Sequence, residues 1–169
     1  MRRILVSACL LGHKVRYNGS DKPVADARLE KWREEGRLVP ICPELAAGFD
    51  TPRPPAELRG CADGADIVAG RGGTVVEDTG NDVTALYREG AELALRLAQQ
   101  QGCGLALLTD GSPSCGSTFI YDGTFQGRTK AGRGVTAALL ERHGIRVFAE
   151  SQLDALEQAL DGDRAPHPS

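Results

Sequence analysis

One pattern, used three times, restricts this chain more than any other feature. A short apolar run passes directly into a polar turn that carries a cysteine. Residues 105–108 lead into Thr109-Asp110-Gly111-Ser112-Pro113-Ser114-Cys115-Gly116-Ser117, residues 4–6 into Ser7-Ala8-Cys9, and residues 38–41 into Cys42-Pro43-Glu44. Apolar runs of this length, bounded by turn residues, read as buried strands. Between them lie segments of helical period. Residues 26–35 put Leu29 and Trp32 on one side and stop at Gly36. Residues 82–101 align Leu86, Leu93 and Leu97 behind a cap at Asn81 or Asp82. Residues 134–143 form a helix before a strand at 146–148, and Ser151-Gln152-Leu153-Asp154 opens a last helix with a box-like cap. Strands alternating with helices predict an α/β fold: three-layer, a mostly parallel sheet with helices on both faces, Rossmann-like.

The remaining segments read as insertions. Residues 10–22 form a loop with His13, Arg16 and Tyr17. Pro40 marks a strand end or bulge in the second strand. Residues 49–57 hold three prolines and are expected to be irregular. Residues 66–77 are expected to form a small hairpin around Gly70 to Gly73. A second hairpin is expected where Phe119-Ile120-Tyr121 and Thr124-Phe125 flank Asp122-Gly123.

A chain of 169 residues suits one domain with one core. It is placed at residues 1–160, with the polar, proline-bearing 161–169 as a disordered tail. A net charge of −3 argues against a nucleic-acid partner, which needs a basic face. No apolar run approaches the ~20 residues of a membrane span. A first strand beginning at Arg3 leaves no room for a signal peptide, so the cytoplasm is expected. Disulfides are uncommon there. The five cysteines therefore read as core filler, metal ligands or reactive thiols.

Topology sorts these cysteines. In a parallel sheet the C-terminal ends of the strands share one edge, where ligands bind. Cys9, Cys42 and Cys115 each follow a strand and belong to that edge. Cys103 precedes its strand and belongs to the opposite one, as a buried structural thiol; Cys61 stays unassigned. Three convergent thiols suit zinc, copper(I) or an iron–sulfur cluster. Burial without function is the competing reading, since cysteine is often buried. A structural zinc site that adds His13 is another. A cysteine nucleophile needs a base, and of His13, His143 and His167 only His13 is placed near the edge. Gly132-x-Gly134-x-x-Ala137 imitates a dinucleotide fingerprint but is expected to lack the strand before it. Its helix start leaves amides for an anionic part of a ligand.

Several motifs recur in a known order: Cys9-Leu10-Leu11-Gly12, Val15-Arg16-Tyr17-Asn18-Gly19, Cys42-Pro43-Glu44, Pro52-Arg53-Pro54-Pro55-Ala56-Glu57, Asp82-Val83-Thr84, Ser112-Pro113-Ser114-Cys115-Gly116-Ser117 and Tyr121-Asp122-Gly123-Thr124-Phe125. Together they resemble the thiouracil desulfidase family over about residues 3–150. The resemblance implies a 4Fe–4S cluster held by Cys9, Cys42 and Cys115, with one iron open to the sulfur of a thiolated uracil. It implies a small-molecule pyrimidine partner and sulfur removal without net redox change. It matches Glu44 to the acidic residue that handles protons and Ser112 to a substrate-contacting serine; Ser114 reads as a turn serine. Arg16 and Arg53 lie in loops on the same edge, as ligands of a substrate carbonyl or phosphate or as structural arginines. One position departs: many relatives carry lysine where this chain has Thr109, which leaves the exact thiolated substrate open.

Overall fold

The computed structural model describes residues 2–162. In chain order these form β1 (Arg3–Ser7), α1 (Ala27–Glu34), β2 (Leu38–Ile41), α2 (Pro43–Ala46), β3 (Ala56–Arg59), α3 (Gly64–Ala69), β4 (Thr74–Glu77), α4 (Thr84–Gln100), β5 (Cys103–Leu108), β6 (Phe119–Tyr121), β7 (Thr129–Ala131), α5 (Val135–Arg142), β8 (Arg146–Ala149) and α6 (Leu153–Gly162). Four strands make a parallel sheet in the order β2-β1-β5-β8. Side chains alternate across a strand, and both faces of this sheet are covered. Ile4, Val6, Leu105 and Leu107 pack on one face with Leu29 and Trp32 of α1 and Leu156 and Leu160 of α6. Leu5, Ala106 and Leu108 pack on the other with Ala94 and Ala98 of α4 and Leu140 of α5. This is the expected three-layer α/β arrangement, and its period-2 burial explains why the two central strands read as unbroken apolar runs. Pro40 is tolerated because β2 is an edge strand, with β1 as its neighbour on one side. Among the described residues no helix is long and apolar enough to cross a membrane.

The insertions differ from the sequence expectations. Residues 66–77 are not a local hairpin. Asp66 to Ala69 belong to α3, and β4 pairs antiparallel with β3, Ala56 opposite Glu77. Ala56 and Glu57 thus leave the irregular segment and enter a strand. The antiparallel partner lay beyond the short range in which turn residues are informative. The second hairpin exists, but β6 pairs with β7 across residues 122–128, so Asp122-Gly123 is not a two-residue turn. Thr124 and Phe125 lie in that connection. In α4 the buried positions are Tyr87, Gly90, Ala91, Ala94 and Ala98, while Leu86 is exposed. Small residues there let α2 and α5 approach closely, and the leucines sit beside that stripe. The N-cap residue of this helix is Val83, just past the expected Asn81 or Asp82, and before it the Asp82 carboxylate accepts from the Thr84 N–H at 2.9 Å. At the last helix the capping contact falls earlier than Ser151: the Gln152 side chain accepts from the Ala149 N–H. Helix α6 runs through Gly162, two residues into the expected tail; the rest of that segment lies outside the described residues.

Candidate active site

The C-terminal ends of β1, β2 and β5 lie side by side, and each delivers one cysteine. Cys9 sits in a single 3-10 turn after β1, residues 8–11, which Gly12 closes at φ +90°. Cys42 is the N-cap residue of α2, followed by Pro43 in the first turn. Cys115 is held by a loop that closes on itself: Ser112 Oγ accepts from the N–H groups of Ser114 and Cys115 at 3.0 and 3.1 Å. The carboxylate of Asp110 organises the same loop from below. Its Oδ1 accepts from the N–H groups of Gly111, Ser117, Thr118 and Phe119, and its Oδ2 from the Thr118 hydroxyl. Burial opposes the charge on Asp110, but these donors outweigh it and hold its carboxyl below the ordinary range.

All three cysteines line one cavity of about 460 Å³, together with Glu44, Ser112, Arg16 and Arg53. None of the three is in a disulfide. Burial raises the Cys9 thiol to about 11, against the nearby Thr109 hydroxyl, and Cys42 adds to the rise. Cys115 is also pushed up by burial, against the Ser7 hydroxyl, with Glu44, Cys42 and Cys9 adding repulsion. Burial likewise raises Cys42. Burial thus favours the neutral thiols, and a coordinated metal would deprotonate them. The donor set is soft and suits an iron–sulfur cluster. Among the described residues no three of His, Cys, Asp and Glu are grouped closely enough for a single ion. His13 is exposed and does not line the cavity, which removes the support for the zinc reading.

Glu44 and Arg53, nine residues apart, form an ion pair whose side chains are 11% and 6% exposed. Arg53 Nε and Nη2 both bond Glu44 Oε2, at 2.7 and 2.5 Å. Its remaining donors reach Val15 O, Asp50 O and Thr51 Oγ1. The guanidinium is therefore spent inside the protein. Tyr87 of α4, which the sequence reading did not single out, also hydrogen-bonds Glu44. Burial and the Glu44 charge push its hydroxyl well above the ordinary value. Arg16 lines the same cavity near Cys9, and among the described residues no hydrogen bond or ion pair engages its guanidinium.

The other sequence candidates fall elsewhere. Cys103 opens β5 at the opposite edge, opposite Arg3. Cys61 is half-buried beside Ile67 and Gly73 and does not line the cavity. Ser114 is buried and shares a hydrogen bond with Thr136. Thr109 donates from Oγ1 to Glu150, which also pairs with Lys22. His143 is exposed at the end of α5, and His167 lies outside the described residues. A strand, β7, does precede Gly132-x-Gly134-x-x-Ala137, but it is antiparallel to β6 rather than part of the main sheet. The helix-start amides are also taken: Gly134 N–H bonds Gly116 O, Val135 N–H bonds Pro113 O, and the N–H groups of Thr136 and Ala137 bond Ser114 O. They brace the Cys115 loop and leave nothing for an anion. Ser7 and Asp110 were missed because short polar residues at strand ends are common and carry no spacing signal.

The sequence model of the 2-thiouracil desulfurase family matches residues 4–152. The chain belongs to that family. It is 47% identical over 151 residues to an uncharacterised protein, YbbK, of Bacillus subtilis strain 168, covering 89% of this chain and 97% of that one. It is 50% identical to a solved structure of the 4Fe–4S-dependent thiouracil desulfidase TudS, with a TM-score of 0.87 over 95% of this chain and 99% of that one.

Proposed function

We propose that this chain is an iron–sulfur-dependent desulfidase that exchanges the sulfur of a thiolated uracil, as base or nucleotide, for oxygen from water. Thiouracil and water become uracil and hydrogen sulfide, with no net redox change. The observation that carries this reading is the meeting of three strand-end thiols, a largely buried carboxylate and a hydroxyl in one cavity. Cys9, Cys42 and Cys115 would hold the 4Fe–4S cluster. When bound, a cluster with three protein ligands supplies an iron with an open position, a Lewis acid for a soft thiocarbonyl sulfur.

The chain's own residues do the rest. Glu44 accepts the proton of the attacking water and returns it to the ring or the departing sulfur. Arg53 and Tyr87 hold Glu44 at the required place, so Arg53 is a positioning residue rather than the substrate ligand expected from sequence. Ser112 already accepts two N–H groups, so its own O–H is left to donate to the substrate. Arg16, with an uncommitted guanidinium, binds the substrate carbonyl or phosphate. Five unpaired cysteines suit a reducing compartment such as the cytoplasm.

The test is anaerobic purification followed by iron and sulfide analysis and an assay of sulfide release from 2- and 4-thiouracil. About four irons and four sulfides are expected, lost on changing any of Cys9, Cys42 or Cys115 to Ser and kept on changing Cys61 or Cys103. Loaded protein that releases no sulfide from any thiopyrimidine refutes the reading.

A further inference from the structure

The stretch Tyr121-Asp122-Gly123-Thr124-Phe125 has no part in the chemistry above, yet its two aromatic residues, Tyr121 and Phe125, line the same cavity. Phe125 has φ +56° and is the non-glycine residue with positive φ among the described residues. A large side chain rarely occupies that region, and it persists there only where its surroundings over-determine it. Two residues of β3 do so here. Glu57 Oε1 accepts from the N–H groups of Gly123 and Phe125 at 2.9 and 3.2 Å. Arg59 donates from Nε and Nη2 to Gly123 O at 3.1 and 2.8 Å, and its guanidinium lies over the Phe125 ring, 5.6 Å from the centroid. Gly123 is pressed against β3 so closely that a Cβ there would lie 2.6 Å from Leu58 O. The loop is thus held by β3 in a strained form that sets the Phe125 ring at the cavity, which Phe119 and Tyr121 also line.

A clamp of this kind makes sense if the ring must be in a set place. A planar pyrimidine has polar edges and weakly hydrated faces. Ser112, Glu44 and Arg16 serve edges. Phe125, half-buried and lining the cavity, offers the apolar face that such a ring stacks on. Building on the thiopyrimidine reading above, we infer that Phe125 is the stacking platform for the substrate ring, held in its left-handed conformation by Glu57 and Arg59. It selects flat heteroaromatic thiocarbonyls over aliphatic ones.

The conformation provides a clean variant. Glycine is at ease at φ +56°, so Phe125→Gly removes the ring and keeps the loop. With cluster-loaded enzyme, KM for thiouracil is expected to rise about 10–100-fold, with kcat changing far less. Equilibrium dialysis of uracil and 4-thiouracil should show the same rise in Kd, with iron content and melting temperature retained. Phe125→Tyr should restore both constants. A Phe125→Gly protein that binds uracil within about twofold of the parent overturns the inference. So does equal loss in the Gly and Tyr variants, or a lowered melting temperature, since either makes the ring structural. If the parent binds thiouracil but releases no sulfide, the desulfidase reading falls while the dialysis still decides the platform. A parent that binds neither pyrimidine overturns both.

Discussion

Glu44 shows how a single side chain is prepared for its task. Its partner Arg53 spends every donor locally, and Tyr87 supplies a third contact. A charge removed from water is costly unless paired. Replacing Arg53 by Met should therefore destabilise the protein by about 3–5 kcal/mol, because a largely buried carboxylate loses its charge partner. Glu44→Gln keeps the volume and leaves Arg53 an amide oxygen. It should lower kcat by about 10²–10⁴-fold with iron content unchanged. Chemical denaturation and steady-state kinetics separate the two outcomes; an E44Q protein of normal turnover removes Glu44 from the chemistry. Sequence motifs exposed both residues but not their pairing. Arg53 comes from an irregular segment, and only its return over α2 sets the guanidinium on the carboxylate.

Between elements, the placement of Glu44 depends on how closely α4 meets α2. A Cβ at Gly90 would lie 2.5 Å from the Pro43 carbonyl oxygen and 3.0 Å from its carbon. Backbone cannot yield as a flexible side chain can. Gly→Ala inside a helix normally stabilises by about 0.5–1 kcal/mol. At Gly90 the sign should reverse: Gly90→Ala is expected to destabilise by about 1–3 kcal/mol, and Gly90→Val by more. Both should displace α2 and cut kcat, as thermal unfolding and kinetics would record. A stabilised Gly90→Ala variant would show that the two helices part freely. This contact also explains why α4 was legible as a helix but not in its packing. Leu86, Leu93 and Leu97 carry the periodic signal, whereas the buried stripe is Gly and Ala, whose burial follows from what lies opposite. The hairpins were half legible for a related reason: turn residues mark a reversal, but pairing of β3 with β4 spans α3.

For the molecule as a whole, the Asp110 loop ties β5 to the hairpin β6–β7 and braces the start of α5, so its charge state bears on global stability. The carboxyl titrates below its ordinary value of 3.8 when folded. The unfolded chain then binds the proton more readily, so this contribution is full above about pH 4 and lost as pH falls through the folded value. Asp110→Asn should flatten the acid side of the stability–pH curve and lower stability at neutral pH by about 1–3 kcal/mol. An unchanged acid limb in denaturation would remove Asp110 from that role. The sequence by itself determined the α/β class, the parallel order of layers and the edge that holds Cys9, Cys42 and Cys115. Those follow from local periodicity and from a topological rule, that parallel strands end together. Only the tertiary structure decided that Arg53 and Tyr87 serve Glu44, that the helix-start amides of α5 serve the Cys115 loop, and that Phe125 turns toward the cavity. Each of these depends on which long-range neighbour satisfies a buried charge, a free N–H or a strained backbone, and no local pattern records that partner.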